Sequence, residues 1–150
     1  MKVLNKVVIG MASLVLLTAC APKTTYAEFH AKAVSAVEKA KEKTFTVTLK
    51  GTYKDDNGEK KNYDNITVNW NKGSFEATSA LHLDEVFLAL TLTALRADVI
   101  AESDNTTYYA GSTFKTVTKD DNGTSTVTWN KFGLPTQMKD ADSNLKISYK

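Results

Sequence analysis

The chain has 150 residues, 42% of them hydrophobic and 24% charged, with a formal net charge of +2 at neutral pH. A single cysteine excludes an intramolecular disulfide. Acids and bases nearly balance, and Arg96 is the only arginine, so the basic stripe that nucleic-acid binding needs is missing.

The first residues read as an export signal. Lys2 and Lys6 make a short basic start, and Val7 to Leu17 is an apolar run of 11 residues, about half of the ~20 that span a bilayer. It ends in Leu17-Thr18-Ala19-Cys20. This tetrapeptide resembles the lipobox of bacterial lipoproteins. The resemblance implies cleavage before Cys20, a lipid on Cys20, and a location on the extracytoplasmic face of a bacterial cell membrane. Acyl chains that each contribute about 0.8 kcal/mol per buried methylene hold such a protein on the bilayer without spanning it. The expected organisation is a signal peptide at 1–19, a lipid-anchored tether at 20–24 and one domain at 25–150. Loss of the signal removes two lysines and no acid, which leaves 17 cations against 17 acids.

Thr25-Tyr26-Ala27-Glu28 has the form of a capping box, in which Thr25 accepts from the backbone and Glu28 reaches back. The helix it opens is predicted to run to about Glu42, with Phe29, Ala33, Ala36, Val37 and Ala40 on one face. The period then changes from 3.6 to 2. Phe45, Val47, Leu49 and Tyr53 alternate with threonines and lysine, which predicts a half-buried strand. Ile66, Val68 and Trp70 form the inward side of the return strand. Phe75, Ala77, Leu81 and Leu83 suggest a third strand, after a turn at Asn71-Lys72-Gly73.

The middle segment from Asp84 to Glu102 is predicted as a helix capped by Asp84, although alternation at Leu88, Leu90 and Leu92 also permits a strand. Its apolar residues (Val86, Phe87, Leu88, Leu90, Leu92, Leu95, Val99, Ile100) go almost all the way round. Such a helix has to be covered on both sides. It is buried, docks on a partner, or closes an apolar cavity. Beyond it, Phe114 and Val117 precede a turn, and Val127 and Trp129 follow it. Leu134 and Met138 lie on a further strand that starts near Pro135, and Leu145, Ile147 and Tyr149 close the sheet. The fold class is therefore α+β: an N-terminal helix packed on a curved antiparallel sheet, with a second, apolar helix in the middle of the chain. Twenty threonines suit a sheet with one wet face.

The pentapeptide KDDNG occurs at Lys54–Gly58 and again at Lys119–Gly123, followed by TVNWNKG at 67–73 and TVTWNKFG at 126–133. Neither copy has the alternating ligands and terminal Glu of a calcium loop. Adjacent acids at an exposed hairpin tip do not make an acid–base pair. The repeat reads as turn chemistry, with Asn-Gly as a hairpin signal. His30 and His82 stand alone, and no nucleophile elbow, phosphate loop or metal-ligand spacing is present. No enzymatic activity, cofactor or metal is expected.

Residues 126–149, TVTWNKFGLPTQMKDADSNLKISY, resemble a recurrent ending of lipoproteins with a LolA/LppX-type half-barrel. The resemblance implies a curved sheet around a helix, with an apolar cavity for acyl chains. The expected function is thus membrane-anchored, non-enzymatic binding of a lipid or other apolar ligand. Its candidate lining is Trp70, Phe75, Phe87, Leu90 and Trp129. The alternative is a surface module for protein–protein contact or self-association without a small ligand, to which Tyr108-Tyr109 would contribute as exposed aromatics. An enzyme is the third and least supported class. The expected partners are the membrane, through the lipid on Cys20, and an apolar small molecule or a protein, but no nucleic acid.

Overall fold

The computed structural model describes residues 21–150. Cys20 and the signal-peptide residues lie outside them. The elements in chain order are β1 (Lys23–Thr24), α1 (Tyr26–Ala40), β2 (Thr44–Lys54), β3 (Lys60–Asn71), β4 (Ser74–Ala77), α2 (Leu83–Ala94), a 3₁₀ turn (Ala97–Val99), β5 (Thr106–Ala110), β6 (Phe114–Asp120), β7 (Gly123–Trp129), β8 (Pro135–Lys139) and β9 (Ser143–Tyr149). The nine strands form one antiparallel sheet in the order β1-β5-β6-β7-β8-β9-β2-β3-β4, which does not close on itself. Two residues expected in the tether, Lys23 and Thr24, belong to the sheet: they pair with Tyr109 and Tyr108.

α1 forms where its apolar spacing says it should, and its five predicted inward residues are all buried. Thr25 is its N-cap and accepts from the Glu28 backbone N–H at 3.2 Å. The Glu28 carboxylate accepts from the Thr24 hydroxyl. That bond, then the Thr25 backbone N–H, holds the Glu28 carboxyl below the usual range. The helix stops at Ala40, two residues short of the expected Glu42, because the Ala40 carbonyl is taken by the indole N–H of Trp70 at 2.8 Å and by the Lys43 N–H at 2.9 Å.

The core has two parts. In one, Val37 and Ala40 of α1 pack with Val47, Leu49, Val68, Trp70, Phe75, Leu88, Leu92, Leu134 and Ile147. In the other, Phe29 and Ala33 pack with Ala97, Tyr108, Phe114 and Trp129. Phe29 sits at the centre of the second part, with ring centroids 5.3 to 5.7 Å from those of Tyr108, Phe114 and Trp129. Tyr108 is therefore a core residue rather than an exposed aromatic; its hydroxyl accepts from the Ser103 N–H at 2.9 Å. Tyr149 is also tied inward, donating to the Pro135 carbonyl at 2.7 Å, and burial pushes its phenol far above the ordinary range.

The third strand is shorter than expected. It ends at Ala77, Leu81 is exposed, and Leu83 opens α2. α2 itself departs from the expected 84–102 at both ends. Its N-cap is His82, which makes no side-chain capping bond, and Asp84 falls in the first turn. It ends at Ala94 although no Gly or Pro breaks the sequence there. The Leu95 carbonyl instead accepts the indole N–H of Trp129 at 2.5 Å, and the Ala97 N–H turns to the Gly133 carbonyl. Arg96 fixes the exit, with two bonds of 3.0 Å to the Asp98 carboxylate and one of 3.1 Å to the Gly73 carbonyl.

The two sequence copies do one thing alike and one thing differently. In each, the tryptophan is buried in the last two residues of its strand and its indole holds a carbonyl at the C-terminal end of an α-helix earlier in the chain. The turns, however, exchange lengths. The first KDDNG spans a five-residue loop, 55–59, and the second a two-residue link between Asp120 and Gly123. Conversely, the first NKG is a two-residue link between Asn71 and Ser74, and NKFG lies in a five-residue loop, 130–134. The two long loops share one hydrogen-bond pattern. Asp55 and Asn130 each accept, through the side-chain oxygen, from the backbone N–H groups two and four residues on. The fourth residue of each loop is a glycine with positive φ, 78° at Gly58 and 69° at Gly133. Asn57 does not share that conformation.

The β8–β9 turn supplies a pH test. The Asp140 carboxylate accepts from the Asp142 N–H, the Ser143 N–H and the Ser143 hydroxyl at 2.7 to 2.8 Å. Burial alone would raise its pKa, but these bonds outweigh it and the carboxyl is held below its ordinary value. A depressed folded-state pKa stabilises fully above the unfolded value, about 3.9, and that share is lost as pH falls through the folded value. Asp140→Asn is expected to flatten the acid limb of the stability curve between about pH 5 and 3, by at most about 1 kcal/mol because the group is exposed. Urea midpoints measured across that range check it; identical limbs for both proteins would remove the assignment.

Candidate functional site: an apolar cleft under the second helix

Two rows of side chains cross the sheet under α2. In the first, Ile66, Leu49 and Ile147 stand directly opposite one another on β3, β2 and β9. In the second, Tyr63, Gly51, Leu145 and Met138 align across β3, β2, β9 and β8. Tyr63 and Ile66 are three residues apart and would ordinarily face opposite sides of a strand. They share a face because β3 carries an extra residue between them. The register shifts between Leu49 and Gly51, and Asn65 takes a φ of 53°. Gly51 contributes no side chain to the second row.

α2 covers these rows only in part. Leu88, Ala89 and Leu92 are buried, whereas Leu83, Phe87 and Leu90 keep 67%, 67% and 63% of their surface exposed. Between helix and sheet lies a cleft of about 210 Å³. Its floor is Leu49, Ile66, Leu145, Ile147 and Met138, and its helix wall is Phe87, Leu88, Thr91 and Leu92. Tyr63 and Asp84 bring the polar groups. The Tyr63 ring stacks on Tyr53 at 4.7 Å, and its phenol is pushed up by burial first, then by Tyr53 and the Asp84 charge.

Of the residues proposed from sequence as lining, Phe87 stands on the cleft wall. Trp70 and Phe75 pack edge to face in the core at 4.8 Å, and Trp129 packs on Phe29. Leu90 is on the outer side of α2. The alternation of the strands places the floor residues in the interior without marking them as a site. Only the inward alternation flags them, and alternation does not distinguish a packed interior from a hollow one. Among the described residues no group of three metal-ligating side chains occurs, and no helix is long and apolar enough to cross a membrane. Comparison with family models, with curated proteins and with solved structures found no match to this chain.

Proposed function

We propose that this chain is a membrane-anchored extracytoplasmic lipoprotein that binds an apolar ligand non-enzymatically in the cleft under α2. The observation that carries the ligand reading is the cleft itself: a hollow with an aliphatic floor beneath a helix that leaves it partly open. In this reading the sheet curves about the two helices, α1 packs on it as a fixed layer, and α2 is the wall that the ligand meets. The volume, about 210 Å³, lies below the ~300–1,000 Å³ of pockets that engulf drug-sized molecules. It suits one alkyl chain better than a two-tailed lipid. The lipobox-like Leu17–Cys20 supports the anchor.

Native mass spectrometry of residues 21–150, with solvent extraction of any adduct, tests the ligand reading. A 1:1 adduct that extracts as an amphiphile is expected, and Phe87→Ala is expected to lower its occupancy severalfold. A clean, monomeric, ligand-free mass would overturn it.

A second reading has its own observation. Leu83 and Leu90 of α2, with Leu81 just before it at 89% exposure and the exposed part of Phe87, leave apolar surface uncovered, which suits self-association or a protein partner. In that case sedimentation shows a concentration-dependent oligomer that Leu83→Glu and Leu90→Glu dissolve.

A further inference from the structure

The cleft does not end at Asp84. A second, wider depression, about 580 Å³, adjoins it and shares Ile66 and Asp84 as lining. The two differ in chemistry. The first is aliphatic with one acid at its edge, and the second carries Asp64, Asp84 and Glu85. No lysine or arginine lines either. Glu85 is already engaged, accepting from the Thr78 N–H at 2.9 Å and facing the His82 ring at 3.1 Å. Among the described residues the Asp84 carboxylate has no ion-pair partner, and Asp64 accepts only from the neighbouring Asn65 amide.

From this juxtaposition we infer that the ligand is a single-tailed amphiphile with a cationic head, its alkyl chain in the cleft and its head over Asp64 and Asp84. The inference rests on the apolar-ligand reading and adds the head group to it. Charge decides the choice. A carboxylate or phosphate head at this mouth would meet two or three acids and no lysine or arginine, the His82 ring there being turned to Glu85, whereas an ammonium head meets two carboxylates without an ion-pair partner. Opposite unit charges a few ångströms apart at a protein surface attract by an amount on the order of tenfold or more in affinity. The bulge at Asn65 makes the arrangement, because it turns Ile66 into the cleft floor while leaving Asp64 beside the mouth.

Three probes with the same ten-carbon tail separate the tail from the head: decyltrimethylammonium, decyl maltoside and decanoate. Each is titrated calorimetrically below its micelle concentration into residues 21–150, at pH 7.5 and low salt. The expected order is ammonium, then maltoside, then decanoate, with about tenfold between the first and last. The pair Asp64→Asn and Asp84→Asn is expected to bring all three within about twofold of one another. Circular dichroism melts confirm that this variant is folded. Equal or tighter binding of decanoate would overturn the cationic head and leave the apolar cleft standing. Failure of all three to bind would overturn both.

Discussion

Trp70→Ala is expected to destabilise the domain by about 4 kcal/mol, the range for emptying a buried tryptophan site. The side chain is fully buried, packs on Phe75 and carries the indole N–H that satisfies the Ala40 carbonyl at the end of α1. Alanine removes all three at once. Trp70→Phe separates them, since it keeps most of the apolar volume and removes the indole bond while the Lys43 N–H still satisfies the carbonyl, which costs about 0.5–1.5 kcal/mol. Trp129→Ala belongs in the same range as Trp70→Ala, because it opens the Phe29 cluster and frees the Leu95 carbonyl. Urea denaturation followed by far-ultraviolet circular dichroism measures each. A Trp70→Phe midpoint equal to that of the parent would mean that the indole bond does not secure the helix end.

Gly51→Ala is the second large effect, at about 3 kcal/mol. Gly51 has a φ of 149°, and a Cβ there would stand 2.2 Å from the Asn144 carbonyl oxygen and 2.8 Å from the Leu145 Cα. Both obstacles are backbone, so no side-chain rotation relieves them, and β2 and β9 have to separate. Because Gly51 also sits in the cleft row between Tyr63 and Leu145, the same change is expected to abolish the native ligand adduct under conditions where the protein remains folded. An unaltered unfolding midpoint would show that the β2–β9 approach is looser than these distances imply.

The two helices and most strands follow from local pattern, and the departures have a common cause. α1 was legible because its small apolar residues and Thr25 act within one element. The end of α2 was not, since what stops it at Ala94 comes from Trp129, Gly133 and Gly73, distant in sequence. The exchange of turn lengths was equally hidden. Identical KDDNG letters accept a long loop or a short link, and the register of the flanking strands decides which. The cleft depends on a single extra residue at Asn65, which reverses the facing of Tyr63 relative to Ile66. No hydropathy pattern announces a bulge at an Asp-Asn pair. The unusual all-round apolarity of 84–102 did mark the helix that forms one wall, and Phe87 with it.

The two-residue strand β1 has a mechanical consequence. It is held by pairing of Lys23 and Thr24 with β5 and by the bond from the Ala110 N–H to the Pro22 carbonyl, 3.1 Å. Behind it stands Tyr26, whose hydroxyl donates to the Ile100 carbonyl, and then the Phe29 cluster. A load applied at the N-terminus therefore meets a weak clasp before it meets the core. Peeling that clasp releases about 10 Å of chain while leaving the domain intact.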